Sequence, residues 1–323
     1  MTSFAYFTEC KAASSAVTAA DTPPRVVEDC RGVLRVLSDG TVVRFAPPVA
    51  DDVPVDPSVE WKGVVYDAAL GLGLRVYRPA GAAVAGDREK LKLPVVVVFH
   101  GGGFCIGAYA LPTFHAACTR LAAGTSAIVL SADYRLAPEH RLAAAADDAA
   151  VVLLWLRDHA ASDPWISELA DLGKVFVTGE SAGGVLAHHL NVPFSGVAPA
   201  ETLDPVRLRG FVPLMPFFAG GEPTRSELSC RRRPGADADH PFGPDSPRLD
   251  GVVVGPTLVV VAGEDILRDR NVEYVRRMAE MGKPVEHVEF PWQGHAFFSL
   301  RPWAKPVDEF VRVLKRFMDK QLS

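Results

Sequence analysis

Cysteine is scarce and unpatterned in this chain. Cys10, Cys30, Cys105, Cys118 and Cys230 are odd in number and never form a C-x-x-C pair. That excludes a disulfide framework and a cysteine zinc site, and it points to a reducing compartment, the cytoplasm first and the nucleus second. No apolar run approaches the ~20 residues that span a bilayer. The opening "MTSFAYFTECKAASSAVTAADTPP" has no basic region ahead of an apolar one, so no secretory signal is expected. An excess of positive charge is absent too. With 34 Lys and Arg against 39 Asp and Glu, the net charge of -5 gives no general attraction for nucleic acid or an anionic membrane. The single basic run, Arg231-Arg232-Arg233, lies beside Pro234 and Gly235 and reads as a solvated loop.

The glycine-rich nucleotide fingerprints are incomplete. "GGGFCIG" has Ile106 where G-x-G-x-x-G needs its third glycine, and "GLGLRV" fails at Val76. "GESAGGV" has P-loop spacing from Gly179 to Gly184, but Val185 replaces the lysine that reaches the phosphates. No H-E-x-x-H occurs, and the adjacent His188 and His189 point in different directions on a helix. Neither a metal nor an organic cofactor is expected.

What is present is a regular alternation. With 48% hydrophobic residues the chain can bury a substantial core. Residues 1–57 are less regular. They read as a short helix from Val26 to Leu37, a turn at Ser38-Asp39-Gly40, an extended piece and a Pro- and Asp-rich linker. From Trp61, "WKGVVYD" and "LGLRVYRP" predict a hairpin. The apolar runs "LPVVVVFH", "AIVLSADYR", "KVFVTGE", "LRGFVPLMPFF", "TLVVVAGED" and "VEHVEF" then follow. They alternate with helical patterns near Leu111 to Ala123, along "RLAAAADDAAVVLLWLRDHA", after Ser181, from Asn271 to Met281 and from Val307 to Leu322. The fold class is α/β, with about eight strands in a mostly parallel sheet covered by helices on both faces. Residues 58–323 are expected to form one domain, and residues 1–57 an outlying segment and linker. Residues 219–256 are rich in Pro and Gly and are expected to run over the surface.

Four elements carry chemistry. Gly179-Glu180-Ser181-Ala182-Gly183 matches G-x-S-x-G between a strand and a helix. That context strains the serine backbone and turns the Ala182 N–H and the helix N-terminus toward a developing oxyanion. His100-Gly101-Gly102-Gly103 closes an upstream strand, where three glycines let the backbone turn back with N–H groups free. Asp265 stands just past a buried strand, with Glu264 and Asp269 as rival acids. Asp269, between Arg268 and Arg270, reads as a partner in ion pairs. His295 lies in a glycine-preceded loop beyond the last strand. The chain order Ser, Asp, His suits a nucleophile, an orienting carboxylate and a base.

"HGGGF", "SADYRLAPEH", "GESAGG", "GEDILRDR" and "GHAF" resemble the plant carboxylesterases, the hormone-sensitive-lipase-like branch of the α/β-hydrolases, along nearly the whole chain. The resemblance implies Ser181 as nucleophile, Asp265 as orienter and His295 as base. It implies an oxyanion hole from Gly101, Gly102, Gly103 and Ala182, with the N-terminal segment as part of a lid. Pocket residues are expected at Phe104 and Cys105 past the glycines, at Phe114 in the following helix, and at Phe297 past His295. Arg135 and Glu139 are expected to hold structure. The implied substrate is a small to medium carboxylic ester or lactone, of hormonal or xenobiotic kind. Gibberellin receptors are similar but carry an aliphatic residue in place of the triad histidine, and related dehydratases carry threonine in place of the serine. A hormone-binding receptor, with a protein partner, is therefore the alternative reading; retention of His295 and Ser181 favours the esterase. The chain departs from the family pattern at Glu180 and Val185, at Pro193, which should shorten the helix after Ser181, and in a shortened stretch between Phe218 and His240.

Overall fold

The apolar runs build one sheet. In the computed structural model, residues 23–30, 32–45, 53–81, 92–194, 203–218, 224–226 and 249–323 are described. Eight strands lie in the spatial order β11-β10-β9-β8-β6-β7-β5-β4: β4 (Val59–Asp67), β5 (Leu72–Pro79), β6 (Leu93–Phe99), β7 (Ile128–Ala132), β8 (Ala170–Glu180), β9 (Leu208–Leu214), β10 (Thr257–Ala262) and β11 (Val285–Phe290). The β4–β5 hairpin and the β5–β7 pair are antiparallel, and the other pairs are parallel.

Strand β6 shows why continuous apolar runs are needed. Val95, Val97 and Phe99 enter the core on one face of the sheet, while Val96 and Val98 enter the core on the other. The first face is covered by α2 (Leu142–His159), α4 (Ala182–Phe194) and α5 (Arg268–Glu280). The second is covered by α1 (Pro112–Thr125) and α7 (Lys305–Leu322). Two short helices, α3 (Pro164–Ser167) and α6 (Phe297–Leu300), cap loops. Helix α4 ends at Phe194, one residue past Pro193. Among the described residues no helix is long and apolar enough to cross a membrane.

The chain passes from β6 to β7 on one side and then to β8 on the other. The carboxyl ends of β6 and β8 therefore flank the point where the winding reverses, the crevice where open α/β sheets bind ligands.

The N-terminal expectation needs correcting. No helix spans Val26 to Leu37. Instead β1 (Val26–Cys30), β2 (Leu34–Leu37) and β3 (Val42–Arg44) form a separate antiparallel sheet. Val26, Val27, Val36, Val42 and Val43 are β-branched and suit extended backbone, and Gly32 and Gly40 turn the chain at φ +72° and +85°. Leu34 is buried, but Val26, Val27 and Phe45 remain exposed, so this apolar set is only partly covered. The basic run 231–233, Cys10, Cys230, the side chain of Cys30, most of the 47–57 linker and most of the 219–256 stretch lie outside the described residues.

Candidate active site

Ser181 sits between the last residue of β8 and the first of α4, with φ +57°, the left-handed region a side chain enters only under constraint. The constraint is close packing. A Cβ on Gly179 would collide with the backbone of Gly183, and one on Gly183 with the carbonyls of Phe99 and His100. Glycine at both positions thus lets α4 start directly against β6. The Ser181 N–H donates to Leu214 O at 2.8 Å, and Ser181 O accepts from the amides of Gly184, Val185 and Phe217 at 3.0–3.2 Å.

His295 and Asp265 reach Ser181 from the far side. Ser181 Oγ lies 2.9 Å from His295 Nε2, and His295 Nδ1 lies 2.7 Å from Asp265 Oδ2. An ionised carboxylate only accepts. Nδ1 therefore carries the proton toward Asp265, and Nε2 is left to accept from the Ser181 hydroxyl. The Asp265 side chain is fully buried, and its Oδ1 accepts the Leu267 N–H at 3.0 Å. Burial alone would push the His295 pKa down; the charge and hydrogen bond of Asp265, with the charge of Glu180 behind them, outweigh it and leave the net shift upward. Of the rival acids, Glu264 hydrogen-bonds through its backbone to Gln293 O. Asp269 accepts from the Ser226 amide and pairs with Arg268.

The glycine loop after β6 lies against this chain of bonds. A Cβ built on Gly101 would come within 3.4 Å of both Ser181 Cβ and Glu180 Oε1. Gly102 and Gly103 have φ +123° and +59°, and a Cβ on Gly102 would collide with Ile106 O. Among the described residues, the amides of Gly102, Gly103 and Ala182 donate to no protein acceptor. Tyr134 holds the loop's start, donating to His100 O at 2.8 Å and stacking on the His100 ring at 4.3 Å.

The four residues named for a pocket are distributed over both faces of the sheet. Phe104 is buried with Tyr134 in the core of the α2–α4 face. Phe114 and Phe297 are buried in the core of the α1–α7 face, Phe114 edge-on to Phe298. Cys105 is half-buried, with its Sγ donating to Gly103 O at 3.0 Å. Arg135 makes a part-buried fork with the buried Asp148 at 2.7–3.0 Å, and Glu139 pairs with Arg44, so both hold loops together.

Two side chains near the site were not singled out for it in the sequence. Glu180 is fully buried, its carboxylate accepting from Ser299 Oγ and from Ser299 N at 3.2 Å. Burial raises its pKa, against the opposing pull of the Ser299 hydrogen bonds and the His295 charge. The signal for Glu180 in the sequence was its place beside Ser181, where it departs from the family pattern. Ser299 had none.

An open-sheet α/β protein with a strained serine, an imidazole and a buried carboxylate aligned at its topological switch point is built as an α/β-hydrolase. A family model described as alpha/beta hydrolase fold matches residues 96–239 and 228–299. Carboxylesterase 20 of Arabidopsis thaliana is 32% identical over 304 residues, covering 84% of this chain and 91% of that protein. Tuliposide A-converting enzyme 1, chloroplastic, of Tulipa gesneriana is 31% identical, covering 84% and 72%. A solved esterase from Pyrobaculum calidifontis superposes with a TM-score of 0.62 at 28% identity, covering 83% and 86%. The chain belongs to the plant carboxylesterase family of hormone-sensitive-lipase-like α/β-hydrolases. It is a carboxylic ester hydrolase.

Proposed function

We propose that Ser181, His295 and Asp265 act as nucleophile, base and orienter in a two-step hydrolysis of small to medium carboxylic esters or lactones. The carrying observation is the continuous pair of bonds from Ser181 Oγ through His295 to Asp265. As Ser181 Oγ bonds to the ester carbonyl carbon, its proton passes to His295 Nε2 and the carbonyl π electrons move onto oxygen. That oxyanion is met by the unengaged amides of the Gly101–Gly103 loop and of Ala182, donors already in place before charge develops. Collapse breaks the bond to the alcohol, which leaves with the proton from His295. Water then repeats the sequence on the acyl-enzyme and releases the acid. Asp265 stays ionised and steadies the imidazolium.

A hydroxyl activated in this way needs no metal, so p-nitrophenyl acetate and butyrate should be hydrolysed equally well with and without EDTA. Ser181→Ala should lower kcat by roughly 10³-fold or more, because members of such a triad act as a unit. A fluorophosphonate should label wild-type protein at Ser181. Folded protein that neither labels nor turns over, but binds a hormone intact and recruits a partner protein, would replace this reading with the receptor-like one. The reducing compartment suggested by the cysteines supports a cytoplasmic or nuclear site of action.

A further inference from the structure

One guanidinium of the small N-terminal sheet reaches the catalytic loops. Arg44, the last residue of β3, donates from Nε to Cys105 O at 2.8 Å and from Nη2 to Ala137 O at 2.8 Å. Its fork also grips the Glu139 carboxylate at 2.6–2.7 Å, which fixes the plane of the group.

The Cys105 carbonyl belongs to a peptide whose other end is the Ile106 N–H, and that N–H donates to Gly102 O at 3.1 Å. The Gly102 carbonyl belongs in turn to the peptide that ends in the Gly103 N–H. In a trans peptide C=O and N–H point in opposite directions. Holding Gly102 O toward Ile106 therefore aims the Gly103 N–H away from the loop's own bonds. A second arm converges on the same oxygen: the Ala137 N–H donates to Phe104 O at 2.7 Å, and the Cys105 N–H donates to Gly102 O at 3.1 Å. Arg44 fixes the Ala137 end of this arm as well. Hydrogen bonds in series polarise one another, by roughly 10–30% per bond, and here a cation stands at the head of the series.

We propose that Arg44 is a positioning residue of the oxyanion hole, orienting and polarising the Gly103 amide through a relay of two peptide groups. This rests on the reading of the glycine loop as the oxyanion hole. The Gly102 amide has a different support, since its peptide partner Gly101 O lies 2.7 Å from His100 Nδ1. Loss of Arg44 should weaken one donor and leave the other in place.

The test compares wild type with Arg44→Met and Arg44→Lys on p-nitrophenyl acetate. It adds inhibition by an alkyl trifluoromethyl ketone, whose adduct with Ser181 carries the oxyanion, together with active-site titration by a fluorophosphonate and thermal unfolding. Complete loss of an oxyanion donor costs 10²–10³ in kcat, so a weakened one should cost about tenfold. Arg44→Met is expected to lower kcat by that factor with KM changed less than twofold. The ketone inhibition constant should rise in proportion to the loss in kcat/KM. Arg44→Lys should recover only part, because an ammonium cannot reproduce the fork across two carbonyls and a carboxylate. A merely structural role would lower the melting temperature or the titratable fraction and leave kcat per titrated site unchanged, and that result overturns the proposal. Should the methionine variant fail to fold, the lysine variant decides alone: wild-type kcat and ketone affinity overturn the proposal. Wild-type protein that neither titrates nor hydrolyses the ester would remove the hydrolase mechanism itself, a failure distinct from an active enzyme indifferent to Arg44.

Discussion

At the scale of single residues the site is a set of buried charges held apart by hydrogen bonds. In the proposed mechanism His295 works as the neutral base, so kcat/KM should fall as pH drops through its pKa. Asp265 and Glu180 both favour the imidazolium and outweigh the effect of burial, so that pKa lies above the ordinary 6.5. The acidic limb of the pH profile is accordingly expected above pH 6.5. Glu180→Gln removes one negative charge facing the imidazolium but keeps an acceptor for Ser299. The imidazolium loses stabilisation, its pKa falls, and the limb should move to lower pH, with kcat on the plateau lowered if the Ser299 contact loosens. A pH profile of kcat/KM for the two proteins measures this, and an unmoved limb would show that the Glu180 charge does not reach His295. Glu180→Asp keeps the charge and shortens the side chain, so it tests reach rather than charge.

At the scale of elements the dominant fact is how closely α4 approaches β6. An added methyl on Gly183 meets two backbone carbonyls that cannot rotate away. Gly183→Ala should therefore destabilise the fold by about 1–3 kcal/mol, the usual cost of overpacking, and slow fluorophosphonate labelling by shifting Ser181. A urea unfolding midpoint and a labelling rate check both parts. The strands on either side of this junction were legible in the sequence for the same reason that they pack so well. A parallel strand covered on both faces must be apolar at successive residues, and "VVVVF" or "TLVVVA" admits little else. The places of Ser181 and Asp265 were legible because each stands just past such a strand; His295 was legible from its glycine-preceded loop beyond the last, half-exposed edge strand. The N-terminal strands were not: they are three to five residues long, half-exposed, and their valines fit a helical face as well as an extended one. Arg44 escaped notice because its partners are carbonyls and a carboxylate from loops 61 to 95 residues away in the chain, a juxtaposition no local pattern records.

At the scale of the whole molecule the question is what the N-terminal segment contributes to a domain that holds its own core. Among the described residues, neither core cluster of the eight-stranded sheet takes a side chain from before Val59. The small sheet keeps Val26, Val27 and Phe45 exposed and is tied to the catalytic loops by polar bonds from Arg44. A segment fastened in this way can be removed without opening the main core, which makes its function separable from folding. Deleting residues 1–45 should leave a folded protein that still reacts with a fluorophosphonate. On p-nitrophenyl acetate the deletion should lose kcat to the extent that Arg44→Met does, since the relay is cut in both. On a bulky naphthyl ester a lid role for the segment predicts a further rise in KM well beyond the point variant, because a lid excludes water and orients the acyl group. Steady-state kinetics of the deletion and of Arg44→Met on the two esters separate these contributions. If the two variants behave alike on both esters, the segment is a clasp for the oxyanion loop and not a lid. If the deletion does not fold, the segment is part of the stability of the domain, and the independence of the core from residues before Val59 is refuted.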